Sequence, residues 1–392
     1  MSTIYDYMDW RGDLSFAQDP LNIVDNVILS NLTYLDMKSS FVEDGGAETH
    51  DIDGDGNLEP CLARHGRDAA LPLKALTDRF FAEHSAEEIA DWGRPFREVP
   101  KLARQAAESV RFGSICISDY VNILDREAEE QLCAMVFWLD EDTAYAAFEG
   151  TDSSFIGWKE DFGLSYLNEI PAQRHAVEFM NLAFAEKCPR TLYVGGHSKG
   201  GNLAVYASAF CDEAIRERIV KVYSNDGPGF RPEIANSSAY QALLPKVTGI
   251  LPDSSLIGGL LDSRALTLII RSTVSGFGQH DAFTWEVLGT RFVASVRTES
   301  GRFYDQFLRL WLTRVSDYER KLFTDTLFDL LEAGADTVAE FKADPLRASL
   351  EMIKASQKIK PKTRAELSEI LRQLAASGAD TVFTVFNKDR DR

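Results

Sequence analysis

The chain has 392 residues, 45% of them hydrophobic and 11% aromatic, and a formal net charge of −19. That much apolar material suits an enzyme-sized globular protein with one large core or two modest ones, and it speaks against intrinsic disorder. The acidic balance repels phosphate backbones and anionic lipid surfaces, so nucleic acid is excluded as an expected partner.

The opening MSTIYDYMDW lacks the basic start and apolar stretch of a secretory leader. Cys61, Cys116, Cys133, Cys188 and Cys211 are odd in number and show no paired spacing, so a thiol-reduced, cytoplasmic protein is expected. No run reaches the roughly 18 apolar residues of a membrane span, so no stable membrane insertion is expected. From Asp19 the spacing of Val24, Val27, Ile28, Leu32 and Leu35 predicts an amphipathic helix, with Pro20 suited to its first turn.

Residues 40–110 are polar and acidic, then helix-like, and read as an insertion or cap over the core. Within them DIDGDGNLEPCL imitates a calcium loop, with Asp51, Asp53 and Asp55 at positions one, three and five and Gly56 at six. Position twelve is Leu62, where a bidentate glutamate is required, and Pro60 sits in the later part. The stretch from Asp51 to Glu59 therefore reads as a solvated acidic turn with at most weak, adventitious calcium binding, and no metal or organic cofactor is expected.

QLCAMVFWLDEDTAYAAFEGTD reads as a β-hairpin turning at Asp140 to Asp142. Helix-like and strand-like runs then alternate to about residue 295, which is the pattern of an α/β sheet covered by helices. From Phe303 onward the pattern is helical only. Ser316 and Glu319 are spaced as a capping box with Gly334 as a stop, and Thr363 and Glu366 as another with Gly378 as its stop. The expected organisation is a domain of residues 1–300 and a helical region of 301–392, whose Leu322, Phe323, Leu327, Phe328 and Leu330 pack on the core or on a partner.

In TLYVGGHSKGGNLAVYAS an apolar run stops at glycines around one serine and resumes as a helix-like run. A strand, then G-x-S-x-G, then a helix is the context of a nucleophile elbow, in which glycines two before and two after clear a strained turn for Ser198. The amide of Lys199, at the helix N-terminus, faces the place where an oxyanion would form. A serine needs a base, and only His280 follows Ser198 along the chain; His197 lies inside the elbow and reads as a packing residue. Two aspartates close the intervening strand-like runs, Asp226 in IVKVYSNDGPGF and Asp253 in KVTGILPDSS. Asp253 ranks slightly ahead, since the later strand end is the commoner acid position in such sheets. AFEGTDSS offers a second oxyanion donor at Thr151 or Asp152, with the Thr151 hydroxyl as a further candidate.

Taken together, AFEGTD…GWKEDF, GGHSKGGNLAVYAS, SNDGPGF and QHDAFTW, with the opening DYMDWRGDLSF, resemble the bacterial lipase-like α/β-hydrolase family catalogued as a domain of unknown function, DUF2974, which is distantly similar to class 3 lipases. The resemblance covers essentially the whole chain except the less typical 40–110 segment. It implies serine hydrolase chemistry, with Phe148, Gly150 and Thr151 on the strand-ending segment that supplies an oxyanion donor; Glu149 stands where the class 3 lipases carry arginine. The expected protein is a carboxylic ester hydrolase acting on a small-molecule or lipid ester. The competing expectations are a non-catalytic scaffold and an acyltransferase or thioesterase with the same residues.

Overall fold

In β3 (Glu130–Trp138) every residue is buried, because the strand is covered on both faces. Cys133, Met135 and Phe137 enter one core, while Leu132, Ala134, Val136 and Trp138 enter the other. The two-residue side-chain period thus sorts one continuous apolar run into two layers. The structure is a computed structural model and describes residues 1–41, 57, 58, 62 and 64–387. Asp51 to Gly56 and Glu59 of the calcium-like stretch lie outside the described residues.

The sheet has eight strands whose spatial order matches their chain order. They are β1 (Leu71–Pro72), β2 (Cys116–Asp125), β3, β4 (Thr143–Phe148), β5 (Thr191–His197), β6 (Ile219–Asn225), β7 (Val247–Pro252) and β8 (Leu266–Ile270). β1 to β4 pair antiparallel and β4 to β8 pair parallel, giving the expected mostly parallel sheet flanked by helices. The hairpin at Asp140 to Asp142 forms between β3 and β4. β2 escaped the sequence reading because its alternation is broken by a bulge between Ser118 and Val121, where Asp119 has a φ of 52°.

One face of the sheet is covered by helices Ile4–Arg11, Ile23–Leu32, Leu73–Glu83 and Val99–Glu108, and the other by Pro171–Ala183 and Lys199–Phe210. Two helices of the 40–110 segment therefore belong to the layer on the sheet, with Leu73, Leu76, Phe80, Leu102 and Ala106 buried.

Helix Ile23–Leu32 starts later than Pro20 suggested, because the Asn22 side chain accepts from the amides of Val24 and Asp25 and ends the preceding turn. It is also buried on its polar side. Asp25 receives both the Nε and Nη2 of Arg111 at 2.7 and 2.5 Å, and the Tyr7 hydroxyl at 2.8 Å. Asn26 exchanges side-chain hydrogen bonds with Asn225 at the end of β6, and Ser30 Oγ accepts a further one from Asn225 Nδ2.

In the tail, Ser316 and Glu319 do cap helix Asp317–Glu332. The second box and its stop do not form: helix Pro361–Asn387 runs through Thr363, Glu366 and Gly378. Gly378 lies against Phe307, between the fully buried Ser377 and Thr381, so small residues serve a close helix crossing there. Among the described residues no helix is long and apolar enough to cross a membrane.

Candidate active site

β5 ends at His197 and the next helix begins at Lys199, so Ser198 alone makes the turn, with φ 57° and ψ −130°. Few L residues occupy that region, and the strain is held by its surroundings. A Cβ on Gly200 would sit 2.1 Å from the Phe148 carbonyl oxygen, and one on Gly196 would sit 2.3 Å from the Gly200 carbonyl carbon. Only glycine permits that approach of strand, helix and the end of β4. The Ser198 amide donates to the Asn225 carbonyl at 2.9 Å, tying the elbow to the end of β6.

His280 ends a short 3₁₀ turn, Gly276–His280. Its Nε2 lies 2.9 Å from Ser198 Oγ, and its Nδ1 lies 2.7 Å from Asp226 Oδ2. The Asp226 carboxylate can only accept, so the imidazole proton sits on Nδ1 and the bare Nε2 accepts from the serine hydroxyl. Asp226 is 1% exposed and takes a φ of 52° directly after β6, and its other oxygen accepts from the Ser255 hydroxyl at 2.5 Å.

The structure places Asp226, not the higher-ranked Asp253, on the imidazole. β6 pairs directly with β5, so its end lies beside Ser198, while β7 stands one strand further out. Asp253 instead accepts from Gln279 Nε2 at 2.9 Å and from Ser295 Oγ at 2.8 Å, which anchors the residue preceding His280.

The Lys199 amide opens the helix, where first-turn amides have no intrahelical acceptor and the helix dipole adds positive charge. Its side chain is buried away from the serine, with Nζ 2.7 Å from Glu160 Oε2 and 2.6 Å from the Gln131 carbonyl. Burial pushes the Glu160 carboxyl up and the Lys199 ammonium pulls it down, while Glu160 holds the lysine above its ordinary value. Thr151 borders the cavity, but its hydroxyl donates to Asp161 at 2.5 Å and is committed there. Burial pushes the neighbouring Glu149 carboxyl up to about 8. Among the described residues no group of three His, Cys, Asp or Glu side chains is placed to hold a metal ion.

Ser198 and His280 open onto a cavity of about 620 Å³. Its walls include Phe96 of the 40–110 segment, Phe155 and Trp158 of helix Phe155–Gly163, and Leu331 and Val338 of the tail. The tail is pinned to this wall by Phe155 N to Asp336 O at 3.2 Å, by Val338 N to Ser153 O at 3.1 Å, and by an edge contact between the rings of Phe162 and Phe328.

The model of the Mbeg1-like family matches residues 106–329, more than half of the chain. The chain belongs to the Mbeg1-like family. This is the lipase-like family that its motifs resemble. The Mbeg1-like match spans Thr151, Ser198, Lys199, Asp226, Asp253 and His280, while Tyr34 of the N-terminal layer and Val338 of the tail lie outside it. The crystal structure of M37 lipase is similar over 44% of this chain and 66% of that chain, at 15% identity and a TM-score of 0.33. No curated protein matches the chain.

Sequence reasoning passed over Tyr34, whose hydroxyl lies 3.2 Å from His197 Nδ1, and over Asn26 and Asn225 beneath the elbow. Their only signal was polar residues within apolar runs, which periodicity assigns to solvent.

Proposed function

We propose that this Mbeg1-like protein is a serine hydrolase of carboxylic esters working through an acyl-enzyme. The observation that carries the reading is the unbroken line from Ser198 Oγ through His280 to the buried Asp226 carboxylate. Ser198 attacks the ester carbonyl while His280 Nε2 takes its proton; the imidazolium returns that proton to the leaving alcohol, and water then repeats the sequence on the acyl-serine. Asp226 holds the imidazole in the required tautomer and balances the imidazolium. The oxyanion is assigned to the Lys199 amide and to the backbone at Thr151, since the Thr151 hydroxyl is engaged.

A fluorophosphonate probe tests the reading, because it reacts only with an activated serine. Labelling of the intact protein that disappears in Ser198→Ala supports it; a folded protein that resists the probe and hydrolyses no p-nitrophenyl ester sinks it.

The apolar wall favours an ester with a hydrocarbon acyl chain. Filling that wall with Leu331→Trp is expected to shorten the preferred chain. Each methylene denied burial costs about 0.8 kcal/mol, roughly fourfold in kcat/KM. A panel of p-nitrophenyl esters of increasing length measures this, and an unchanged optimum would remove Leu331 from the acyl site.

A further inference from the structure

Beyond the serine, the base and the acid, the backbone that carries His280 needs a support of its own. The 3₁₀ turn Gly276–His280 starts at a glycine with a φ of +66°, and Phe277 within it is 57% exposed. Such a turn has poor internal hydrogen-bond geometry and does not by itself hold a side chain to within a fraction of an ångström. Two successive carbonyls at its end are gripped by buried aromatic rings. Trp285 Nε1 donates to the Gln279 carbonyl at 2.8 Å, and His197 Nε2 lies 2.8 Å from the His280 carbonyl.

The second grip has a defined proton arrangement. A carbonyl oxygen only accepts, so His197 Nε2 carries the hydrogen. The ring is neutral, since burial, with His280 adding repulsion, pushes its imidazole down to about 3. Nδ1 is therefore bare and accepts from the Tyr34 hydroxyl at 3.2 Å, which keeps its proton because burial pushes the phenol well above its ordinary value. The Tyr34 oxygen in turn lies against the oxyanion-side loop, where a Cβ on Gly150 would sit 2.2 Å from it.

We propose that His197 and Tyr34 are positioning residues for the base, with neutral His197 holding the His280 backbone at the reach of Ser198 and Tyr34 fixing the His197 tautomer that makes this possible. The pair spans from the Gly150 loop to the His280 loop, so it sets the spacing between the two loops that serve the serine. The role rests on the reading of His280 as base.

The test compares His197→Phe, which keeps a ring and loses both hydrogen bonds, with His197→Gln, whose Nε2 amide reaches the same carbonyl. Ester turnover and fluorophosphonate labelling are measured alongside the downfield proton resonance of His280 Nδ1–H on Asp226. His197→Phe is expected to lose about 10²-fold in kcat and in labelling rate with KM little changed, the scale set by misplacing a catalytic group by about 1 Å. His197→Gln is expected to recover most of that loss, and the resonance to persist in wild type and Gln and vanish in Phe. Equal rates in all three proteins, or equal losses in Gln and Phe at matching melting temperatures, overturn the proposal. A wild type that is neither labelled nor active fails the hydrolase reading instead, and the resonance pattern then decides the positioning role alone. Should His197→Phe not fold, Tyr34→Phe must show the same direction of change in kcat and resonance, and a wild-type profile there overturns the tautomer argument.

Discussion

Asp226→Asn is expected to lower kcat by about 10⁴ while leaving a folded protein. The substitution keeps the side chain's shape, and the Asn oxygen can still accept from the Ser255 hydroxyl that now bonds Oδ1. What changes is the group facing His280 Nδ1, now 2.7 Å from Oδ2. An amide nitrogen there donates, so the imidazole is driven to the tautomer with its proton on Nε2, where it can no longer accept from Ser198. Asp253→Asn should behave differently. Its carboxylate accepts from Gln279 and Ser295, so the loss is one charge-assisted hydrogen bond, about 1.5–3 kcal/mol of stability, with a far smaller effect on kcat. Thermal melts and ester kinetics on both variants separate the cases. A silent Asp226→Asn beside a folded, inactive Asp253→Asn would reverse the assignment.

Lys199→Met is expected to destabilise the protein by about 3–5 kcal/mol, because it leaves the Glu160 carboxylate buried without its cation. Both side chains are essentially inaccessible, at 0% and 1% exposure, so water cannot replace the lost partner. The pH dependence follows from the sign of the Glu160 shift. Burial already raises this carboxyl, and without the lysine it rises further. A carboxyl raised in the folded state binds a proton more tightly there than in the unfolded chain, so the deficit is small below its unfolded value and grows as pH climbs through the folded one. Chemical denaturation at pH 5 and pH 8 should therefore show the larger loss at pH 8. The double variant Lys199→Met/Glu160→Gln should recover much of it, since the Gln oxygen still accepts from a backbone amide now held by Glu160. A double variant no better than the single one would mean that the loss comes from packing. Since the elbow amide is unaltered, any Lys199→Met protein that stays folded should retain labelling at Ser198.

The elements most legible in the sequence were those specified by neighbours in the chain. The turn at Ser198 depends on glycines at fixed offsets between a strand and a helix, and the β3–β4 hairpin on two β-branched and aromatic runs around an acidic turn. The cap of helix Asp317–Glu332 needs only Ser316 and Glu319. Each is a short-range interaction, so its spacing can be read directly. The failures have the opposite character. β2 lost its alternation to one bulge at Asp119, and Gly378 looked like a helix stop because its packing against Phe307, some seventy residues earlier in the chain, is invisible locally.

By itself the sequence determined the sheet-and-helix class, the strained serine turn and the chain order that singles out His280 over the other five histidines. Only the tertiary structure decided which aspartate faces that histidine, because the answer depends on β6 rather than β7 lying next to β5. It also decided that Tyr34 and His197 join one hydrogen-bonded line with the His280 backbone, and that Leu331 and Val338 of the tail wall the cavity. These are contacts between groups far apart in the chain. Burial in a shared core makes a polar side chain find a partner across that distance, and no local period records which partner it finds.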